Sequence, residues 1–281
     1  MMLSVDDLGL PPAAAALDAR ARRLAAILRR LGRVAVAFSG GVDSALLLAV
    51  ATGELGEAVV ALTAVSESLA ERERAAAAAL AKRLGVRHVQ IPTAEVHDPR
   101  YVENTAARCF YCKDIVYQAL ADFVRAHELG VLVDGMNRDD TADHRPGRAA
   151  AAALGVQSPL DEAGFTKAEV RALARRLGLP VWQKPAMACL SSRIPYGTPV
   201  TVEALAQVEA AEAALFGLGF QQVRVRHHGP VARIELDEHD LGPALARRAA
   251  IVAALRALGY DHVALDLAGY RRGSLNAAIG R

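Results

Sequence analysis

The sequence predicts an α/β protein, a parallel sheet flanked by helices, followed by a smaller α+β domain at its carboxyl-terminal end. Strand-like runs at 34–38, 58–64, 86–91 and 131–134 alternate with helical patterns at 44–54, 69–84 and 112–129. Such alternation implies parallel strands joined by crossover helices. Beyond an aperiodic, Pro- and Gly-bearing stretch at 182–199, the pattern changes to helix, strand, strand, helix, strand. The length of 281 residues suits about two domains. The expected division is 1–182, a junction at 183–199 that carries Cys189, and 200–281.

Each element has a local reason. Residues 14–31 carry Leu and Arg at helical spacing. The run 34–38 is short and fully apolar, as a buried parallel strand requires. Ala75 to Ala79 are helix formers inside 69–84. Thr166-Lys167-Ala168-Glu169 has the pattern of a capping box, and its helix ends at Gly178 and Pro180. Strands at 223–227 and 231–236 are joined by His228-Gly229-Pro230, a hairpin-like turn. Trp182 is expected to pack at the domain junction.

Composition narrows the class. No apolar run approaches the ~18–20 residues of a membrane span. Met1-Met2-Leu3-Ser4-Val5-Asp6-Asp7 lacks a basic, signal-like start, so a cytoplasmic protein with no membrane partner is expected. The net charge of +2 is spread over both signs, and no nucleic-acid partner is expected. Arg175-Arg176 and Arg247-Arg248 read as solvated helix faces.

Ser39-Gly40-Gly41-Val42-Asp43-Ser44 sits between the first strand and the following helix. Glycines there let the backbone bend tightly and let a ligand approach it. The helix start offers N–H groups and a positive dipole end to an anion. Ser39 and Ser44 add hydroxyls, and Asp43 adds a carboxylate suited to Mg²⁺ held against phosphate oxygens. No Gly-Lys-Ser/Thr follows, so this is not a Walker A loop. Ser66-Glu67-Ser68 and Asp134-Gly135-Met136-Asn137 also fall at strand ends, where open parallel sheets bind ligands.

The three cysteines leave several readings open. Cys109 and Cys112 stand near a helix start in Arg108-Cys109-Phe110-Tyr111-Cys112-Lys113, and Cys189 lies in the junction. A structural zinc site would need a His as fourth ligand. A redox pair would lack the thioredoxin context. A 4Fe–4S cluster on Cys109, Cys112 and Cys189 would leave one iron open for a labile sulfide. The plain alternative is small buried hydrophobes.

The loop Ser39–Ser44 matches the SGGxDS signature of the PP-loop ATP pyrophosphatases, which cleave ATP between the α and β phosphates. The longer chain resembles one family within that superfamily, the sulfur transferases of nickel-pincer nucleotide biosynthesis. The resemblance rests on the segments just quoted and on Arg145-Pro146-Gly147, Cys189-Leu190-Ser191-Ser192-Arg193-Ile194-Pro195-Tyr196-Gly197-Thr198, Val223-Arg224-Val225-Arg226, Ala232-Arg233-Ile234-Glu235-Leu236 and Leu265-Asp266-Leu267-Ala268-Gly269-Tyr270-Arg271. It implies an adenine nucleotide α-hydrolase-like sheet and a homo-oligomer. It also implies a pyridinium mononucleotide substrate with two ring carboxylates, adenylated by ATP and converted to thiocarboxylate with release of pyrophosphate and AMP.

By the same resemblance, Ser39, Gly40, Gly41, Asp43, Ser44, Ser66 and Gly135 bind ATP, and Asp43 holds Mg²⁺. Arg193, Arg224, Arg271, Glu212 and Glu235 bind substrate, with Asp43, Cys189 and Arg193 at the chemistry. Sulfur comes in the family either from a sacrificed junction cysteine or from a cluster held by three cysteines. The set Cys109, Cys112 and Cys189 favours the cluster, recharged by a sulfide or persulfide source. His144 is a weaker candidate for the site. Two other functions stay open: a cluster-dependent tRNA thiolase of the same superfamily, and a non-catalytic ATP-binding regulator.

Overall fold

A computed structural model describes residues 15–141, 151, 153–185 and 188–271. His144 and Arg145-Pro146-Gly147 lie outside the described residues. In order the chain forms α1 (Ala15–Leu31), β1 (Val34–Ala37), α2 (Val42–Leu55), β2 (Val59–Val65), α3 (Glu71–Arg83) and β3 (Arg87–Pro92). It continues with α4 (Pro99–Val102), α5 (Arg108–Ala126), β4 (Val131–Val133), α6 (Arg138–Thr141), α7 (Pro159–Glu162) and α8 (Lys167–Arg176). A 3₁₀ turn, Leu190–Arg193, precedes α9 (Val202–Gly217), β5 (Val223–His228), β6 (Val231–Leu236), α10 (Leu241–Ala246), α11 (Arg248–Ala257) and β7 (His262–Leu265).

The first sheet is parallel, in the order β3-β2-β1-β4. Its order reverses between β1 and β4, which opens a crevice at their carboxyl ends, where ligands of open α/β sheets bind. α2 is apolar around most of its circumference, with Val42 and Ser44 through Ala51 buried, as befits a helix in the middle of a core. One face of the sheet packs with α1, α2 and α8 through residues such as Leu24, Leu47 and Leu173. The other packs with α5 through Leu120, Ala121 and Val124. Burying each such Leu contributes on the order of 1.5–3 kcal/mol. No helix among the described residues is long and apolar enough to cross a membrane.

The second sheet has the order β5-β6-β7, antiparallel then parallel. The expected single helix before its last strand is two helices, α10 and α11, meeting at Arg247, whose φ of −98° and ψ of 12° depart from helical values. α9, α11 and the sheet share a core of Leu215, Phe220, Val225, Ile234 and Leu255.

The chain does not divide by one cut at 183–199. Residues 67–70 and 96–109 group with 188 onward, while the rest, including 71–95 and the stretch from Phe110 to the junction, forms the first unit. Hydrogen bonds explain the grouping. Leu190 N–H donates to Ser68 O, Val200 N–H to Val102 O, and Gly197 N–H to Asn104 O. Asn104 is fully buried in the left-handed region, with φ of 57°, a conformation that Asn tolerates better than most residues. Its amide donates to Pro195 O at 2.8 Å and to Thr198 O at 2.7 Å. Trp182 is instead anchored within the first unit, where the Arg175 guanidinium lies 4.9 Å from its ring and Arg171 donates to its carbonyl.

Candidate functional site

The loop after β1 is built around its own hydroxyls. Ser39 and Ser44 Oγ atoms lie 3.2 Å apart, Ser39 N–H donates to Ser44 Oγ, and Gly41 N–H donates to Ser39 Oγ. Gly40 has φ of +70°, and a Cβ there would lie 3.1 Å from the Ala77 Cβ of α3. Gly41 caps α2 with no side-chain bond, which leaves the positive helix end to an incoming anion.

Asp43, in the first turn of α2, carries a partner on each oxygen. Asn137 Nδ2 donates to Oδ1 at 3.1 Å, and Lys167 Nζ pairs with Oδ2. The turn after β4 closes against the same helix end: a Cβ on Gly135 would lie 2.7 Å from Ser44 N and 3.0 Å from the Asp43 carbonyl carbon. Buried Asp134 shapes that turn. It accepts from Tyr117 Oη and Ser158 Oγ, both at 2.7 Å, and from Met136 N–H at 3.1 Å. Burial first, then the Asp134 charge, pushes the Tyr117 hydroxyl far above the ordinary phenol range.

The structure thus brings Ser39, Gly40, Gly41, Asp43, Ser44 and Gly135 together. Ser66, at the end of β2, is bonded to the buried carboxylate of Glu95. Sequence reasoning missed Asn137, Lys167 and Glu95. Asn137 stood in a quoted motif, and Lys167 was hidden inside the capping box, which the structure forms in full between Thr166 and Glu169.

The second unit gathers buried charge. The Arg193 side chain is 2% exposed and pairs bidentately with Glu212, Nε to Oε1 at 2.8 Å and Nη2 to Oε2 at 3.0 Å. Its Nη1 donates to Ala188 O and Cys189 O, which fixes the backbone at Cys189. Glu212 also accepts from Val225 N–H, and so joins α9, β5 and the 3₁₀ turn. Glu235 pairs with Arg226 and Arg233, and Arg226 reaches Ser192 O at 2.7 Å. The buried Arg224 lies 5.3 Å from the Tyr270 ring. Burial first, then the Arg193 charge, lowers its affinity for its proton.

Arg193, Arg224, Glu212 and Glu235 are therefore buried in one unit, while Arg271 is exposed and its neighbour Tyr270 meets Arg224. Arg226 was missed as a site residue, although it stands two positions after Arg224 on the same strand face. Three buried guanidiniums against two buried carboxylates leave a formal excess of one positive charge among these five groups. An anion with planar oxygens suits them.

Cys109 and Cys112 stand one turn apart at the start of α5, Cys109 exposed and Cys112 half-buried. α5 starts earlier than expected, after a turn in which Thr105 Oγ1 accepts from Ala107 N–H. Cys109 and half-buried Cys189 both belong to the second unit and both act on Tyr196. Burial first, then the thiolate charge of Cys109, raises the Tyr196 hydroxyl, Cys189 adds to this, and Arg108 opposes it. Arg108 is itself buried, donates to Ser191 O at 2.9 Å and lies 5.5 Å from the Tyr196 ring. Among the described residues, no three Cys, His, Asp or Glu side chains are gathered as a metal site.

Residues 19–117 match the asparagine synthase family. Over 267 residues the chain is 42% identical to the pyridinium-3,5-bisthiocarboxylic acid mononucleotide synthase of Lactiplantibacillus plantarum, covering 94% of this chain and 96% of that one. It is 41% identical over 265 residues to an uncharacterised protein of Synechocystis, covering 94% and 99%. An uncharacterised protein of Methanocaldococcus jannaschii is 26% identical over 241 residues, covering 85% and 91%.

Proposed function

The chain belongs to the family of the pyridinium-3,5-bisthiocarboxylic acid mononucleotide synthase, ATP-dependent sulfur transferases of the nickel-pincer cofactor, and we propose that it turns ring carboxylates of a pyridinium mononucleotide into thiocarboxylates. The single observation that carries this reading is the cluster of buried Arg193, Arg224 and Arg226, balanced short of neutrality by Glu212 and Glu235, whose Arg193 donates to Cys189 O. Such a cluster takes up a phosphate and carboxylates, and the bond from Arg193 to Cys189 O fixes the sulfur-bearing residue at its edge.

A carboxylate is a poor electrophile, so it needs activation. In the first unit, Ser39, Gly41, Ser44 and the start of α2 grip the pyrophosphate portion of ATP. The carboxylate oxygen bonds to the α phosphorus, the bridging bond to the β phosphate breaks, and pyrophosphate leaves with the electron pair. Attack by sulfur on the acyl-adenylate then releases AMP. The Asp43 carboxylate is a hard oxygen donor at the mouth of the loop and would hold Mg²⁺ there. When bound, Mg²⁺ neutralises charge on the departing pyrophosphate.

The expected result is release of AMP and pyrophosphate from ATP only when the pyridinium-3,5-dicarboxylate mononucleotide is present, read by nucleotide chromatography. ADP as the product would overturn the proposal. For the sulfur source, the soft thiols of Cys109, Cys112 and Cys189 suit iron, and a cluster there would supply sulfide. The alternative is Cys189 itself as donor, favoured by its half-buried place beside Arg193. Iron and acid-labile sulfide after anaerobic reconstitution separate the two. About four irons per chain, lost on changing any of the three cysteines, support the cluster. No specific iron, with one turnover per chain, supports sacrifice of Cys189.

A further inference from the structure

We infer that Arg108 is a carboxylate seat: the Nε and Nη2 edge of its guanidinium takes a ring carboxylate of the substrate, beside the turn that follows Cys189. This step rests on the proposed pyridinium dicarboxylate mononucleotide as substrate. Three observations within the second unit carry it.

Arg108, Arg193 and Arg226 are all buried, and all three reach one short turn through Nη1. Arg193 Nη1 donates to Ala188 O at 2.7 Å and to Cys189 O at 3.0 Å. Arg108 Nη1 donates to Ser191 O at 2.9 Å, and Arg226 Nη1 to Ser192 O at 2.7 Å. Ser191 and Ser192 are consecutive, so Arg108 stands against the same turn as two arginines of the proposed substrate cluster.

The opposite edge of the guanidinium sets Arg108 apart. Arg193 gives Nε and Nη2 to the two oxygens of Glu212, at 2.8 and 3.0 Å. Arg226 gives the same two atoms to Glu235, at 3.0 and 2.7 Å. Arg108 repeats the pattern without a carboxylate. Its other Nη1 bond goes to Asn104 Oδ1, and neither Nε nor Nη2 donates to any group among the described residues. No Asp or Glu among them pairs with it, and neither Cys109 nor Cys189 accepts from it. The residue is 2% exposed, so little water surrounds the charge. The Tyr196 ring, 5.5 Å from the guanidinium carbon, favours a cation but offers no acceptor for the fork. A buried cation left in this state is costly, and a planar two-oxygen anion removes the cost.

The place also suits the chemistry. Arg108 directly precedes exposed Cys109, and Cys109 and Cys189 both act on Tyr196. Asn104 aims the fork, because its own amide is tied to Pro195 O and Thr198 O. The fork needs two free oxygens, and an acyl-adenylate offers one. The seat therefore holds the ring carboxylate that is not adenylated, and so anchors the ring beside the residues from which sulfur comes.

The test uses R108K, which keeps a cation and donors for Asn104 and Ser191 O but loses the two-atom edge, with R108M as the neutral variant. Calorimetric titration without ATP compares two probes, the mononucleotides of pyridinium-3,5-dicarboxylate and of pyridinium-3-carboxamide. The second keeps ring, ribose and phosphate but has no ring carboxylate. R108K is expected to weaken the dicarboxylate about tenfold and R108M about 100-fold, with the carboxamide changed less than about twofold by R108K. Equal weakening of both probes by R108K would assign Arg108 a structural role and overturn the inference. Unchanged dicarboxylate binding in R108K overturns it too, and leaves the substrate reading intact. If wild type does not bind the dicarboxylate, the substrate reading itself fails and the seat falls with it.

Discussion

Replacing Glu212 with alanine is expected to destabilise the protein by about 3–5 kcal/mol, because it leaves a buried guanidinium without its carboxylate. The Arg193 side chain is 2% exposed, so water cannot replace the lost partner. The same carboxylate accepts from Val225 N–H, and that strand donor would be orphaned as well. Three elements depend on this one group: α9, which carries it, β5, and the Leu190–Arg193 turn. E212Q keeps the volume and a carbonyl acceptor and should lose less. The double variant E212L/R193M removes both charges and should recover much of the loss, as paired replacement of buried ions does elsewhere. Urea denaturation followed by far-ultraviolet circular dichroism checks all three. A loss of well under 1 kcal/mol for E212A would mean that the pair is solvated rather than buried.

The parallel sheet was legible because β1 and β4 are uninterrupted apolar runs and β2 is broken only by Thr63, whereas β3 carries Arg87, His88 and Gln90. Val34–Ala37 lies within one residue of the expected strand. The nucleotide loop was legible for a related reason: Gly40 and Gly135 stand where a side chain would collide with Ala77 or Ser44, and that demand is written in residue type. What was not legible is long-range pairing. Nothing local distinguishes Lys167 as a partner of Asp43 from an ordinary lysine on a helix, because the capping box accounts for its surroundings. Arg226 was passed over for Arg224, and the register itself favours Arg224, which stands directly opposite Glu235, while the side chain that pairs with Glu235 is Arg226, diagonally placed on the same face. The segment 96–109 was likewise placed by order in the chain, whereas Asn104 and Arg108 bind it to residues some ninety positions later.

Changing Gly135 to alanine is expected to lower kcat/KM for ATP about 100-fold while leaving the fold in place. Gly135 needs no left-handed backbone, so its smallness serves one contact only. The added methyl would lie 2.7 Å from Ser44 N and 3.0 Å from the Asp43 carbonyl carbon and Ser44 Cα. All three are backbone atoms in the first turn of α2 and cannot swing aside as a side-chain end would. Relief therefore requires the turn after β4 and the start of α2 to part by on the order of 1 Å, and misplacement of that size costs about two powers of ten in a positioned reaction. The same movement draws Asn137 away from Asp43, so metal and phosphate lose their alignment together. Stability should fall by only about 1–3 kcal/mol, the usual cost of overpacking. Gly53, exposed near the end of α2 with open space at its Cβ position, is the control. G53A should stabilise the helix by about 0.5–1 kcal/mol and leave pyrophosphate release unchanged. Pyrophosphate release and thermal melts of the two variants separate the explanations. A slow G135A that melts close to wild type locates its defect in the alignment of the loop. A G135A as active as wild type would show that the turn after β4 does not position the nucleotide.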